Sequence, residues 1–159
     1  MTNLIYASIE GEKQGLISSG CSTLDSIGNK FQRGHENQIF IYAFDHDMTR
    51  EQNINHHPVI VTKPIDKSSP LLGVSLSNNE KLQIIIYMYR INPAGSIEKF
   101  FTIKLKDAYL SGISQHCPNS LTQSEMQPYE ILSIAYKSID WTHNTAGTSG
   151  YSIWDERVY

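Results

Sequence analysis

Lys81-Leu82-Gln83-Ile84-Ile85-Ile86-Tyr87-Met88-Tyr89-Arg90, the turn Asn92-Pro93-Ala94-Gly95, and Glu98-Lys99-Phe100-Phe101-Thr102-Ile103-Lys104-Leu105-Lys106 are the three pieces that decide the fold. In the last piece Phe101, Ile103 and Leu105 face one way, and Thr102, Lys104 and Lys106 the other. That period of two marks a half-buried strand. The first piece is apolar on both faces: Ile84, Ile86 and Met88 oppose Ile85, Tyr87 and Tyr89. Ile39 to Asp45 repeats the pattern, with Ile39, Ile41 and Ala43 opposing Phe40, Tyr42 and Phe44.

Working outward, Asn3–Glu10, Leu16–Ser18, Pro58–Lys63, Ala108–His116, Tyr129–Tyr136, Ser138–His143 and Tyr151–Trp154 also read as strands. Gly11–Gly15, Pro118–Ser120 and Asn144–Gly147 supply turns. One helix is predicted, about Ser69–Asn79, with Ser69 as N-cap and Pro70 at the first helical position. It is too short for a bundle and long enough to cover a sheet. Short strands at regular spacing predict a barrel or a sandwich. Only one face of an antiparallel barrel strand meets the core. The doubly apolar strands therefore need a cover, either the helix alone or the helix together with a neighbouring subunit.

Composition agrees. Isoleucine outnumbers leucine by 20 to 11, and there are nine tyrosines, which suits strands. The 159 residues fit a single domain. A net charge of −3 argues against nucleic acid or an anionic membrane as the main partner. No apolar run approaches the ~20 residues of a membrane span. The N-terminus has no basic segment followed by an apolar one, so no secretory signal peptide is read and a dedicated machine must perform any export. Cys21 and Cys117 are too few and too far apart for a disulfide framework, and are read as reduced thiols.

The chemistry-bearing residues form no catalytic constellation. His35, His46, His56, His57, His116 and His143 invite a metal hypothesis. However, His-Glu-x-x-His and Cys-x-x-Cys are absent, and the richest clusters, Asp45–Asp47 and His56–Pro58, read as solvated loop. Gly-x-Ser-x-Gly is missing. Thr145–Gly150 is glycine-rich but lacks the lysine and following helix of a phosphate cradle. No catalytic, cofactor or metal residue is assigned.

Ile9-Glu10-Gly11-Glu12-Lys13-Gln14-Gly15-Leu16-Ile17, Lys63-Pro64-Ile65-Asp66-Lys67-Ser68-Ser69-Pro70-Leu71-Leu72 and Ala146-Gly147-Thr148-Ser149-Gly150-Tyr151-Ser152-Ile153-Trp154 closely resemble the haemolysin-coregulated protein (Hcp) family. Its members form the inner tube of the bacterial type VI secretion system, and the match looks like the enterobacterial branch. It covers Asn3 to Trp154. The resemblance implies a mainly β fold, two packed antiparallel sheets closing into a β-barrel with one short flanking helix, in one domain over 1–159. It implies homohexameric rings stacked into a tube and no enzymatic activity. It also implies sheath proteins around the tube, a spike protein at its tip and small effector proteins in its lumen. The chain would be cytoplasmic before firing and then secreted. The toxin extension of some relatives is expected to be absent. Two other classes are weighed against this reading, a histidine-liganded metal hydrolase and a monomeric binding barrel.

Two surfaces are expected to carry contacts. Phe40, Tyr42, Phe44, Ile85, Tyr87 and Tyr89 are expected at the subunit interface. The polar loop from Cys21 to Asn37, expected to be too polar to pack as core, corresponds to the family's protruding loop. Its Phe31, Arg33, His35 and Glu36 suit a ring-to-ring contact, an aromatic anchor with charges that fix register.

Overall fold

The computed structural model describes residues 3–30 and 32–155. In chain order the elements begin with β1 (Leu4–Gly11), β2 (Gly15–Leu16) and a short α1 (Leu24–Ile27) followed by a 3-10 turn, Gly28–Lys30. They continue with β3 (Ile39–Ile41), β4 (Ala43–Asp45), β5 (Met48–Arg50), β6 (Ile54–His56), β7 (Val59–Pro64) and α2 (Ser69–Ser77). The last are β8 (Leu82–Ile91), β9 (Ile97–His116), β10 (Tyr129–Ala135), β11 (Ser138–His143) and β12 (Thr148–Ile153). The protein is mainly β, with one helix of more than a single turn among the described residues.

The strand pairings are antiparallel and organised by two strands that serve both sheets. The first half of β9 lies between β8 and β11, with Ile103 opposite Ile86 on one side and Trp141 on the other. Its second half pairs with β10, Ile113 opposite Leu132. The sequence predicts two strands here, divided at Asp107. The structure has one, bent at Asp107, which takes φ +48°, a left-handed conformation that aspartate tolerates better than most residues. The second shared strand is Ile39–Asp45. Its β3 portion pairs with β1 and its β4 portion with β7. Between them the Tyr42 N–H donates to the Thr62 carbonyl at 2.7 Å. Neighbouring strands thus run from β1 through β8, β9, β10 and β7 and return to β1 through this segment.

That change of partner explains the double apolar pattern of Ile39–Phe44. Ile39 and Ile41 are buried before the switch, and after it Phe44 packs against the core. The interior is filled by Ile84, Ile86, Leu105, Leu132, Ile134 and Ile139, with Leu72 of α2 closing one side. α2 starts at Ser69 with Ser68 as N-cap, one residue earlier than predicted. The reason is that the Ser69 hydroxyl accepts the Asp66 N–H at 3.0 Å and donates to Glu130 at 2.8 Å, so it is engaged across the sheet.

Two loop expectations change. Asp45 to His57 contains the hairpin β5–β6, which pairs with no other described strand. The segment 18–38 is not wholly outside the core: Ser18, Cys21, Ser22 and Ile27 are buried. The Cys21 thiol donates to the Ile17 carbonyl at 3.4 Å.

Candidate interaction surfaces

Among the described residues, lysine and carboxylate side chains enter the interior at two places, one at each end of α2. β7 buries Val59, Val61 and Lys63 on one face, and β10 buries Glu130, Leu132 and Ile134. Their register sets Lys63 directly opposite Glu130. The Lys63 ammonium donates to the Glu130 carboxylate, to Asp66 Oδ1 at 2.9 Å and to the Pro64 carbonyl at 3.0 Å. Gln115 donates to Glu130 Oε2 at 3.0 Å, and the Ser68 N–H to Asp66 Oδ1 at 2.9 Å. Burial pushes the Glu130 carboxyl upward, but the Lys63 charge and hydrogen bonds from Lys63, Gln115 and Ser69 outweigh it and hold the group below its ordinary range. The cluster ties the start of α2 to β7 and β10. It is enclosed, so it has no surface on which to meet a substrate.

A second carboxylate locks the other end of the helix. Glu80 accepts the N–H groups of Lys13 and Gln14 at 2.8 and 2.9 Å, and the Gln14 amide at 2.7 Å. Burial raises its carboxyl, and these donors, with Ser75, bring it below the usual range. Gly11 lies against it: a Cβ there would sit 2.3 Å from Glu80 Oε2.

The histidines are more integrated than the sequence reading placed them. His56 is buried and His46 half-buried, and both contact the Tyr136 hydroxyl at 2.8 Å, through Nδ1 and Nε2 respectively. His57 is exposed beside Thr49, at 3.4 Å. His116 stacks on Tyr129, and His143 lies edge-on to Phe100 and Phe101. The described residues contain no group of three or more His, Cys, Asp or Glu arranged to hold a metal ion.

The outer aromatic face is partly covered by the chain itself. Tyr6 pairs with Phe40 on one side and Tyr87 on the other, so it shares their face. Tyr6 is nevertheless fully buried, because His35 stacks on it at 4.0 Å, with the rings 6° apart. Phe40 and Tyr89 meet the Tyr6 ring edge-on. Burial, with Tyr89 nearby, raises the Tyr6 phenol further above neutral pH. Tyr6 and the covering role of His35 escaped the sequence reading. The clue was an aromatic residue on the polar-facing register of β1.

The predicted contact residues divide accordingly. Phe44 belongs to the core, and Phe40 and Tyr89 are half-buried beside Tyr6. Tyr42 is exposed under the Lys30 ammonium at 5.7 Å, and Tyr87 is half-buried under that of Lys99 at 4.9 Å. Ile85 lies beside Tyr87 opposite Lys104. In the loop, Arg33 and Glu36 are exposed, Glu36 accepting the Gly34 N–H at 3.1 Å. His35 is anchored to the body, and Phe31 lies outside the described residues.

Comparison with known proteins accounts for this plan. The family described as "Type VI secretion system effector, Hcp" matches residues 6–143. The "Major exported protein" of Pseudomonas aeruginosa is 36% identical, with 99% of each chain covered. Among solved structures, "Secreted protein Hcp3 from Pseudomonas aeruginosa" superposes with TM-score 0.89 at 37% identity, over 98% of this chain and 100% of that one. A second, titled "Crystal structure of Hcp protein", gives TM-score 0.91 at 35% identity over 98% and 99%. The residues that make the fold, from Tyr6 in β1 to His143 at the end of β11, are those matched, and the chain belongs to the haemolysin-coregulated protein family of type VI secretion systems.

Proposed function

We propose that this protein is a structural subunit of the type VI inner tube, forming homohexameric rings that stack. In this reading the tube is exported through the contractile sheath, with a spike protein at its tip and small effector proteins in its lumen. The chain acts by assembly, not catalysis. The observation that carries the reading is the outward face of β8 together with Tyr42, the residue between β3 and β4. Ile85, Tyr87 and Tyr42 keep apolar surface accessible after α2 and His35 have covered their own parts of the barrel. Large aromatic side chains contribute ~2 to 3 kcal/mol each when fully buried, so a few at each contact hold a ring without covalent links. A head-to-tail contact that closes on itself gives that ring. The export of the relative called a major exported protein is consistent with the same role.

Ring-to-ring contact is assigned to the exposed part of the loop, Arg33 and Glu36, with Phe31. The detached hairpin β5–β6 favours a second reading for this contact. It pairs with no other described strand, and β5 and the start of its turn expose Met48, Thr49, Arg50 and Glu51. Native mass spectrometry of untagged protein at tens of micromolar tests the ring. A closed ring of six subunits is expected. A uniform monomer overturns the reading in favour of a monomeric binding barrel. Stoichiometric bound zinc would instead favour the hydrolase.

A further inference from the structure

The hairpin β5–β6 is fastened to the barrel by side chains that titrate. The Tyr136 hydroxyl, just beyond β10, is 2.8 Å from His46 Nε2 and 2.8 Å from His56 Nδ1. The second nitrogen of His56, Nε2, is 2.9 Å from the Ser152 hydroxyl of β12. Trp154 stacks on the His56 ring at 5.6 Å and meets the Tyr136 ring edge-on at 4.9 Å. One chain of hydrogen bonds, buried at His56–Tyr136 and part-buried at its two ends, thus joins the link before β5, the end of β6, the end of β10 and the end of β12.

We propose that His46, Tyr136, His56 and Ser152 form an acid-released latch, closed while at most one imidazole carries a proton and open when both do. The argument is a count of donors. A phenol hydroxyl gives one hydrogen bond and can accept two, and a neutral imidazole has one donor and one acceptor nitrogen. With both rings neutral, Tyr136 donates to one and accepts from the other. With one ring charged, the cation donates to the phenol oxygen and the phenol donates to the remaining neutral ring. With both charged, both rings present N–H to the same oxygen. The phenol proton then has no acceptor between them, and two cations face each other across one atom.

The surrounding charges set the order of protonation. The charged or titratable neighbours of His46 are Asp47, His56 and His57, and those of His56 are His57 and, across the shared Tyr136 hydroxyl, His46. The residue after β10, Tyr136, with Ser152 of β12 and Trp154 just beyond it, faces the two rings, and none of the three is charged at neutral pH. Asp47 compensates a first proton on His46, and among the described residues no carboxylate acts on His56 in the same way. Burial, with the neighbouring histidines, moves both imidazoles below their ordinary value, and burial keeps the Tyr136 phenol protonated. The latch is therefore closed at neutral pH and opens below the usual imidazole range of about 6.5. Opening frees β5–β6 and the end of β12 and leaves the barrel pairing of β1, β8, β9 and β10 in place. Its chemistry is independent of the ring reading, since hairpin order is read by amide exchange and ring closure by mass.

The test is amide hydrogen exchange of the full-length protein at about pH 7.5 and about pH 5, corrected for intrinsic exchange. Acidification is expected to raise exchange at least tenfold in residues 48–57 and 149–154, with β8 and β9 unchanged. Either His46→Gln or His56→Gln should abolish that response, because two protonations are required. Tyr136→Phe should leave the hairpin exchanging fast at both pH values. The proposal is overturned by unchanged hairpin exchange at about pH 5, by a response that survives in His46→Gln, or by β8 and β9 opening in parallel.

Discussion

Replacing Lys63 by methionine removes the cation from between two buried carboxylates. Lys63 and Glu130 are almost wholly enclosed, and Asp66 is 7% exposed. Methionine keeps most of the volume, so the change is electrostatic. Breaking a buried pair by deleting one partner typically costs about 3 to 5 kcal/mol, because the remaining charge has no water and no counter-ion. Total stabilities of about 5 to 15 kcal/mol make that a large fraction. At a urea dependence of about 2 kcal/mol per molar, the midpoint should fall by about 2 M. Adding Glu130→Gln should recover part of the loss, with a coupling of about 0.5 to 3 kcal/mol between the two sites.

The pH dependence gives a sharper readout, since its sign reverses. In the natural protein Glu130 has a folded-state pKa below its unfolded value. Its stabilisation is present above an unfolded pKa of about 4.3 and is lost as pH falls through the folded value. In Lys63→Met the Glu130 carboxylate is buried without the cation, and burial is expected to bring its folded-state pKa above the unfolded one. The folded state then binds more protons, so the variant gains stability as pH falls from neutral toward about 5. Urea titrations at both pH values check this. A midpoint within about 0.5 M of the natural protein, or the same pH trend in both, refutes the argument.

Gly11→Ala should destabilise the chain by about 1 to 3 kcal/mol in the same assay. The new methyl cannot coexist with Glu80 Oε2, and moving that carboxylate breaks its bonds to Lys13 and Gln14. In native protein a thiol reagent should label exposed Cys117 and spare Cys21, whose buried thiol is pushed up to about 11, and peptide mass mapping without reductant should find no bridge between them. Arg33→Glu should preserve the ring mass and impair tube growth and secretion in a salt-dependent way, since exposed charges are screened within about 8 to 10 Å; normal secretion would remove the loop from the stacking contact.

The strand framework was legible because its signal is long. β8 and β9 carry alternation over many residues, and β11 matches its sequence prediction, Ser138–His143. The hairpin β5–β6 was not, because three residues per strand, largely polar, establish no period. Lys63 and Glu130 were hidden by a habit of placing charge outside. Yet the period of two put Lys63 on the face of Val59 and Val61, and Glu130 on that of Leu132 and Ile134. Two opposite charges on the apolar faces of two strands are a signal for a buried pair across them. Tyr136 was assigned only to a strand, because its partners His46 and His56 are about eighty to ninety positions away.

The ten residues Lys63–Leu72 show why resemblance and function separate in this molecule. They are one of the three segments that carry the family resemblance, and four of their five polar members, Lys63, Asp66, Ser68 and Ser69, are buried and bonded to one another or to Glu130. A buried ionic cluster fixes which strand meets which helix, because any other register leaves a charge unpaired in a dry interior. These four polar residues therefore act within the subunit, holding the fold together. The residues we propose to meet another subunit lie elsewhere, at Tyr42, Ile85 and Tyr87 on the barrel wall, at Arg33 and Glu36 in the loop, and on the hairpin β5–β6. Exchanging side chains at those positions should alter what the barrel assembles with, while Lys63, Asp66 and Glu130 decide whether there is a barrel to assemble.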